Sequence, residues 1–197
     1  MEGDRIAAEL PPGQYEADGW PVRHYGRVPT YRPQTWDFRI FGDLAEPGDE
    51  GRWTLGDLQQ LPQRELVADL HCASGFSVLG LRWGGVPVAD LLAMAAPAAG
   101  VSHVLVWAEY GYSASLRLED LQHREALLAL HIDDQPLPGD RGFPLRLVVP
   151  HLYSWKGPKW VRGIEYVREE RPGFWEERGY HGTGEAWRGQ RYAHRDG

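Results

Sequence analysis

The chain has 197 residues, 42% hydrophobic and 25% charged, with a formal charge of −7, which places it among ordinary globular proteins and argues against a general nucleic-acid binder. No apolar run approaches the roughly 18–20 residues of a membrane span. The single cysteine, Cys72, rules out an internal disulfide framework, CxxC redox chemistry and Cys-rich zinc or iron–sulfur sites.

The opening MEGDRIAAELPPGQ carries no basic or apolar leader, so a cytoplasmic location is expected, with one domain over 1–197. The 24 glycines and 15 prolines predict many turns and short strands rather than a helix bundle. Residues 1–35, with prolines at 21, 29 and 33, are expected to wrap the core as irregular chain. WDFRIFG (36–42) alternates apolar and polar and reads as a strand. AEPGDEG is a turn, and Thr54 followed by Asp57 marks the cap of a short helix ending before Pro62.

RELVADLHC (64–72) is a strand candidate with Cys72 at its end, and VPVADLLAMA (86–95) is a short amphipathic helix flanked by prolines. VSHVLVWAEYGYSASL (101–116) is β-branched and aromatic and predicts one strand; LEDLQH (118–123) predicts a single helical turn. EALLALHID leans to strand, PLRLVVP (144–150) predicts a buried strand, and YSWKGPKWVRGIEYVRE (153–169) a loop running into a strand. The tail, 171–197, is polar and aromatic without periodicity and is expected to pack on the core. These elements define an α+β protein with a mixed β-sheet or barrel-like core and short helices.

Charge is unevenly spread. Residues 141–168 hold six basic side chains (Arg141, Arg146, Lys156, Lys159, Arg162 and Arg168) against one acid, Glu165. A basic patch on an acidic protein predicts a local anionic ligand. Lys156 and Lys159 are the only lysines in the chain. A compact ammonium suits a phosphate, which points to YSWKGPKW as an anion loop, with the Gly157 amide assisting; the other reading is a turn with exposed cations.

Cys72 admits three readings: a small buried hydrophobe, a nucleophile, or a soft metal ligand. As a nucleophile it needs a base, and neighbouring His71 would point to the opposite face of a strand. As a metal ligand it needs a cofactor to supply the remaining donors, because no HxH or HxxxH pattern accompanies it. His24 and Tyr25 in RHYG, and the closing GYHGTGEAW, read on their own as packing aromatics.

Taken together, RHYGRVP, DLHC with RWGGVPVADLL, and PLPGDRGFPLRLVVPHLYSWKGPKWVRGIEYV resemble the molybdopterin-binding catalytic domain of the sulfite oxidase family. They occur in the family's order over about residues 20–170, and they are most similar to small bacterial oxidoreductases related to methionine-sulfoxide reductase. The resemblance implies that fold and a molybdenum–molybdopterin cofactor. It implies Cys72 as the metal's thiolate and catalytic centre. It places His24 and Tyr25 on the pterin, Arg141 and Arg146 around the pterin and its phosphate, and Gly157, Pro158 and Lys159 in the phosphate loop, beside the Lys156 already read as a cofactor-binding cation. Ala108 stands where a cofactor-contacting Thr is found, so contact there would be through backbone. The implied reaction is two-electron oxygen-atom transfer on a small sulfur oxyanion, a sulfoxide or a similar small molecule, with a non-catalytic cofactor- or anion-binding module as the alternative. A separate electron-transfer partner (a cytochrome, flavin or quinone protein) follows from the lack of a haem domain. Gly75 and Phe76 stand where relatives commonly carry Arg and Trp, which sets this chain apart for anionic substrates, unless Arg23 or Arg82 substitutes.

Overall fold

Eleven strands and three short helices form two mixed sheets in the computed structural model, which describes residues 9–193. The reading of the first eight residues as leaderless, the start of the N-terminal wrap and the last four residues of the tail lie outside the described residues.

The first sheet holds β1 (Tyr15–Glu16), β4 (Arg64–His71), β5 (Phe76–Pro87), β8 (Leu127–Ile132), β9 (Gln135–Pro136) and β10 (Arg146–Val148). The second runs β3 (Gly51–Trp53), β2 (Phe38–Gly42), β11 (Val161–Val167), β6 (His103–Ala108) and β7 (Ser113–Arg117). Both sheets are open, so the core is no closed barrel. Strand β11 is central, parallel to β2 and antiparallel to β6. One apolar core joins Phe38, Ile40, Val106 and Ile164 of the second sheet to Val86, Leu128 and Leu147 of the first.

The helices α1 (Leu55–Gln60), α2 (Val88–Met94) and α3 (Leu118–Gln122) close the ends. The cap on α1 is reciprocal: Thr54 Oγ1 accepts from the Asp57 amide at 3.2 Å, and the Asp57 carboxylate accepts from the Thr54 amide at 2.8 Å. Such a cap contributes about 1 kcal/mol. Helix α2 buries Val88, Leu91 and Leu92 on one face. No helix of the described residues is long and apolar enough to cross a membrane.

Two elements differ from the sequence reading. The longest strand, β5, had no counterpart there, because Gly80, Gly84 and Gly85 mask its pattern. Gly85 is needed where it stands: a Cβ there would lie 2.1 Å from the Leu128 carbonyl oxygen on β8. Residues 101–116 form two strands, not one. They turn back at 109–111, where Tyr110 takes a φ of 60° and Gly111 one of 73°.

The β4–β5 hairpin is the element that positions Cys72. Strand β4 ends at His71, one residue early. The Cys72 amide donates to the Phe76 carbonyl at 2.8 Å, and the Gly75 amide donates to the Cys72 carbonyl at 2.9 Å. Gly75 has a φ of 102°, a conformation open to glycine and strained for any L side chain. An arginine at this position would therefore force a different turn.

Gly85→Ala and Gly80→Ala separate close approach from backbone strain. Gly80 also has a positive φ, but nothing lies within 4 Å of its missing Cβ. Gly80→Ala is expected to cost about 1 kcal/mol, and Gly85→Ala about 3 kcal/mol or more from overpacking against β8. Urea denaturation of both variants, with m unchanged, checks the ranking.

Candidate functional site

A cavity of about 540 Å³ opens where the hairpin tip, the loop before β11, the N-terminal wrap and the tail meet. One wall carries Cys72, Ala73 and Ser74; another carries Trp155, Gly157, Pro158 and Lys159 with Arg146. Arg23, His24, Tyr25, Gly26 and Arg27 form the wrap side, and Phe174, Trp175 and Tyr180 the tail side.

The Cys72 thiol is half-buried and has Ser74 Oγ at 3.1 Å. Its carbonyl is anchored by Gln14 Nε2 at 3.0 Å, so the N-terminal wrap braces the turn. His71, next in sequence, faces away: its ring is buried with Nδ1 2.8 Å from Ser77 Oγ. A thiol–histidine pair of neighbours, which a hydrolase reading would want, is therefore absent at this turn.

Two cations share the cavity with the thiol. Arg146 is buried at 4% exposure, with its guanidinium 5.4 and 5.5 Å from the rings of Trp83 and Trp20. It donates to the Arg141 carbonyl at 3.1 Å. Burial, then the Arg141 charge, pulls it down to about 10. Lys159 donates to the carbonyls of Arg23 and Asp140 at 2.8 and 2.7 Å. Burial and the charges of Arg146 and Arg141 bring its ammonium down to about 7. Among the described residues neither cation is paired with a carboxylate; their partners are carbonyls. Such a pair, facing a cavity, is built for an anion.

Two tyrosines near the thiol are held protonated. Burial, then the Glu176 charge, pushes Tyr112 well above the ordinary phenol range, and its hydroxyl donates to the Trp155 carbonyl at 3.0 Å. Burial, with Tyr192 and Cys72 nearby, also raises Tyr180. At neutral pH both are hydrogen-bond donors, not bases.

Of the residues singled out from sequence, the structure brings His24, Tyr25, Cys72, Arg146, Gly157, Pro158 and Lys159 onto this one cavity. Three stand elsewhere. Arg141 lies outside the lining, its guanidinium 4.1 Å above the Trp20 ring and bonded to the Trp20 and Pro21 carbonyls; it reaches the site through charge alone. Ala108 is buried in β6 with its amide on the Tyr112 carbonyl, and Glu109 takes the place at the wall. Lys156 points inward, fully buried and paired with Glu176. The Gly157 amide is likewise not free for a ligand: it closes a turn on the Ser154 carbonyl at 3.2 Å. The glycine is required for close approach, since a Cβ would sit 2.5 Å from the Leu147 carbonyl oxygen.

Of the two substitute cations, Arg23 lines the cavity, while Arg82 pairs with Asp134 at 3.0 Å on the surface. Sequence reasoning missed the aromatic tail wall of Phe174, Trp175 and Tyr180, and Tyr112. The one signal was the aromatic, glycine-rich GYHGTGEAW, read as tail packing.

Residues 25–175 match the family model of the oxidoreductase molybdopterin-binding domain. The chain is 37% identical over 187 residues to the uncharacterized oxidoreductase YuiH of Bacillus subtilis, covering 94% of this chain and 93% of that protein. It is 30% identical to mouse mitochondrial sulfite oxidase over 82% of this chain and 34% of that one. With the catalytic subunit MsrP of a Ralstonia nicotianae protein-methionine-sulfoxide reductase it shares 28% identity over 79% of this chain and 50% of that one. The sulfane dehydrogenase SoxCD of Paracoccus pantotrophus superposes with a TM-score of 0.67 at 21% identity, over 76% of this chain and 42% of that one. The chain thus spans nearly the whole of YuiH but half or less of the other three.

The chain belongs to the oxidoreductase molybdopterin-binding domain family. It is a molybdopterin oxidoreductase in class, with Mo-molybdopterin as its cofactor. The residues present fit that group: a thiol and unpaired cations share one cavity, as a metal carried on a phosphate-tailed pterin requires.

The Lys159 charge gives a pH test. Its affinity for protons is lowered by folding, so the unfolded chain holds more protons between about 7 and the ordinary 10.5. The fold therefore gains stability as pH rises through that window. An anion at Lys159 needs the ammonium, so its stabilising effect is full below about 7 and fades above it. Sulfate at 100 times its Kd is worth about 2.7 kcal/mol, or about 2–4 °C of Tm per kcal/mol for a chain of this size. Thermal melts of cofactor-free protein should show this shift at pH 6, a smaller one at pH 9, and little in Lys159→Met.

Proposed function

We propose that the Cys72 thiolate ligates molybdenum, and that the cavity from Cys72 to Lys159 holds the molybdopterin with its phosphate against Lys159 and Arg146. The observation that carries this reading is the shared cavity itself, which a thiol lines together with two cations that have no carboxylate partner among the described residues. The bound cofactor would supply two-electron oxygen-atom transfer.

The chain's own residues then divide the work. Ser74 Oγ, 3.1 Å from Sγ, is placed to hydrogen-bond the ligating sulfur. Arg146 and Lys159 neutralise the anionic tail, and His24, whose ring packs 5.6 Å from Trp160, closes the wrap side. Tyr112 spends its proton on the Trp155 carbonyl and so braces the loop, while Tyr180, also kept protonated, lines the tail side of the cavity.

The substrate side is aromatic. Tyr25 packs against Phe174 at 4.8 Å, and Phe174 crosses Trp175 edge-on at 5.1 Å. Arg23 adds a cation to this wall, but a glycine occupies position 75. That balance favours a small organic sulfoxide over a bare oxyanion such as sulfite. The balanced reaction is sulfoxide plus two electrons and two protons giving thioether and water. The electrons come from a separate redox protein, a cytochrome, flavin or quinone protein.

Cys72→Ser tests the assignment. A residue that merely supports a metal ligand costs about 10–100-fold when changed, so loss of the ligand itself should exceed 100-fold in turnover and lower bound molybdenum. Elemental analysis, fluorescence of released oxidised pterin, and viologen-driven sulfoxide reduction read the outcome. Full molybdenum with full turnover in Cys72→Ser sinks the ligand assignment.

A further inference from the structure

Lys156 has 0% of its surface exposed, and it stays clear of the cavity that its neighbours line. Its ammonium donates to the Ser115 carbonyl at 2.6 Å, to Glu176 Oε1 at 2.5 Å, and to the Gly182 carbonyl. The same Glu176 oxygen accepts from the Ser115 amide at 3.2 Å. The Phe174 amide donates to the Ser113 carbonyl at 2.8 Å. Strand β7 is the edge of its sheet, and these bonds fall along the side that no strand pairs. An ion pair and one amide stand where a neighbouring strand would.

Three segments therefore meet at one buried charge. The 154–159 loop brings Trp155 and Lys159 to the cavity, the tail brings Phe174, Trp175 and Tyr180, and β7 is the fixed beam between them. The tail closes over the lysine stem at Gly184, whose φ is 74°; a Cβ there would lie 2.8 Å from the Trp155 ring and 3.1 Å from Lys156 Cε.

A buried ion pair is a poor source of stability. Well-packed apolar residues of similar volume often replace one at no loss, although removing one partner alone costs about 3–5 kcal/mol. Apolar contacts have no direction, whereas four bonds converging on Lys156 and Glu176 specify one register of tail against strand. We propose that the Lys156–Glu176 pair is a positioning device for the reaction: an internal strut that holds the 174–180 wall, with Trp175 and Tyr180, in register over Cys72. The proposal rests on the reading of the Cys72–Lys159 cavity as the reaction site.

The double variant Lys156→Met with Glu176→Leu keeps volume and leaves no unpaired charge. It strands the Ser115 amide and the carbonyls of Ser115 and Gly182, so in cofactor-loaded protein its Tm is expected to fall by roughly 10 °C. Amide hydrogen exchange over 173–182 should be at least about tenfold faster, with β11 and α2 unchanged, since local opening is what a lost register releases. Tryptic cleavage after Arg178 should accelerate with it. At equal molybdenum content, kcat for methyl p-tolyl sulfoxide with reduced viologen should fall at least about tenfold.

Unchanged exchange over 173–182 in the folded double variant overturns the strut, and faster exchange with unchanged kcat overturns its role in the reaction. Glu176→Gln, which keeps shape and hydrogen bonding but removes the counter-charge of Lys156, serves if the double variant does not fold; it should show the same faster exchange over 173–182 and the same loss of kcat. Exchange is read equally on protein without cofactor, so a wild type lacking molybdenum or turnover defeats the reading of the cavity while the strut is still decided by its own measurement.

Discussion

Arg146 carries a full charge into the interior and finds only carbonyls and indole rings there. Desolvating an ion costs several kcal/mol unless an opposite charge arrives. Lys159 and Arg141 stand close enough to make that cost larger. The rings of Trp20 and Trp83 offset part of it through their negative faces, which explains two tryptophans packed around cations. The remainder is the driving force for an anion. On the reading of this cavity as the cofactor site, loading would stabilise the chain by mass action.

The rest of the architecture serves to hold a thiol at a fixed distance from that charge. The β4–β5 hairpin presents Cys72 at its tip because Gly75 can adopt a φ of 102°. Strand β10 carries Arg146, and the isolated pairing of Arg146 with Lys159 ties the loop to it. The close approach at Gly157 sets how near that loop lies to β10. Strands and the turns they carry thus supply Cys72 and Arg146, while the wrap beyond β1 and the mostly irregular tail supply the aromatic walls. That division matches a rigid scaffold with variable walls: the scaffold suits one cofactor, the walls suit different substrates.

Much of the site was legible in advance because its chemistry is rare in this chain. One cysteine and two lysines leave few candidates, and Cys72 and Lys159 do share the cavity. The failures lie one side-chain direction away. Lys156 and Lys159 are three residues apart, yet the turn at 154–157 sends one into the interior and one to the cavity. Arg141 is near the site but stacked on Trp20. Ala108 sits one residue before the wall. Strand β5 escaped notice because its glycines, demanded by contact with β8, carry no apolar pattern.

Periodicity, capping residues and proline placement are local, so the sequence alone determined the α1 cap, the amphipathic face of α2 and the alternation of β2. It also determined that any metal held by cysteine would be held by a single sulfur. Burial and charge pairing are sums over distant neighbours. Only the tertiary structure decided that Arg146 has no carboxylate partner among the described residues, that Lys156 has one, and that Phe174, Trp175 and Tyr180 line the same cavity as Cys72. No pattern within a stretch of chain encodes these outcomes, because each depends on which other segment fills the space beside it.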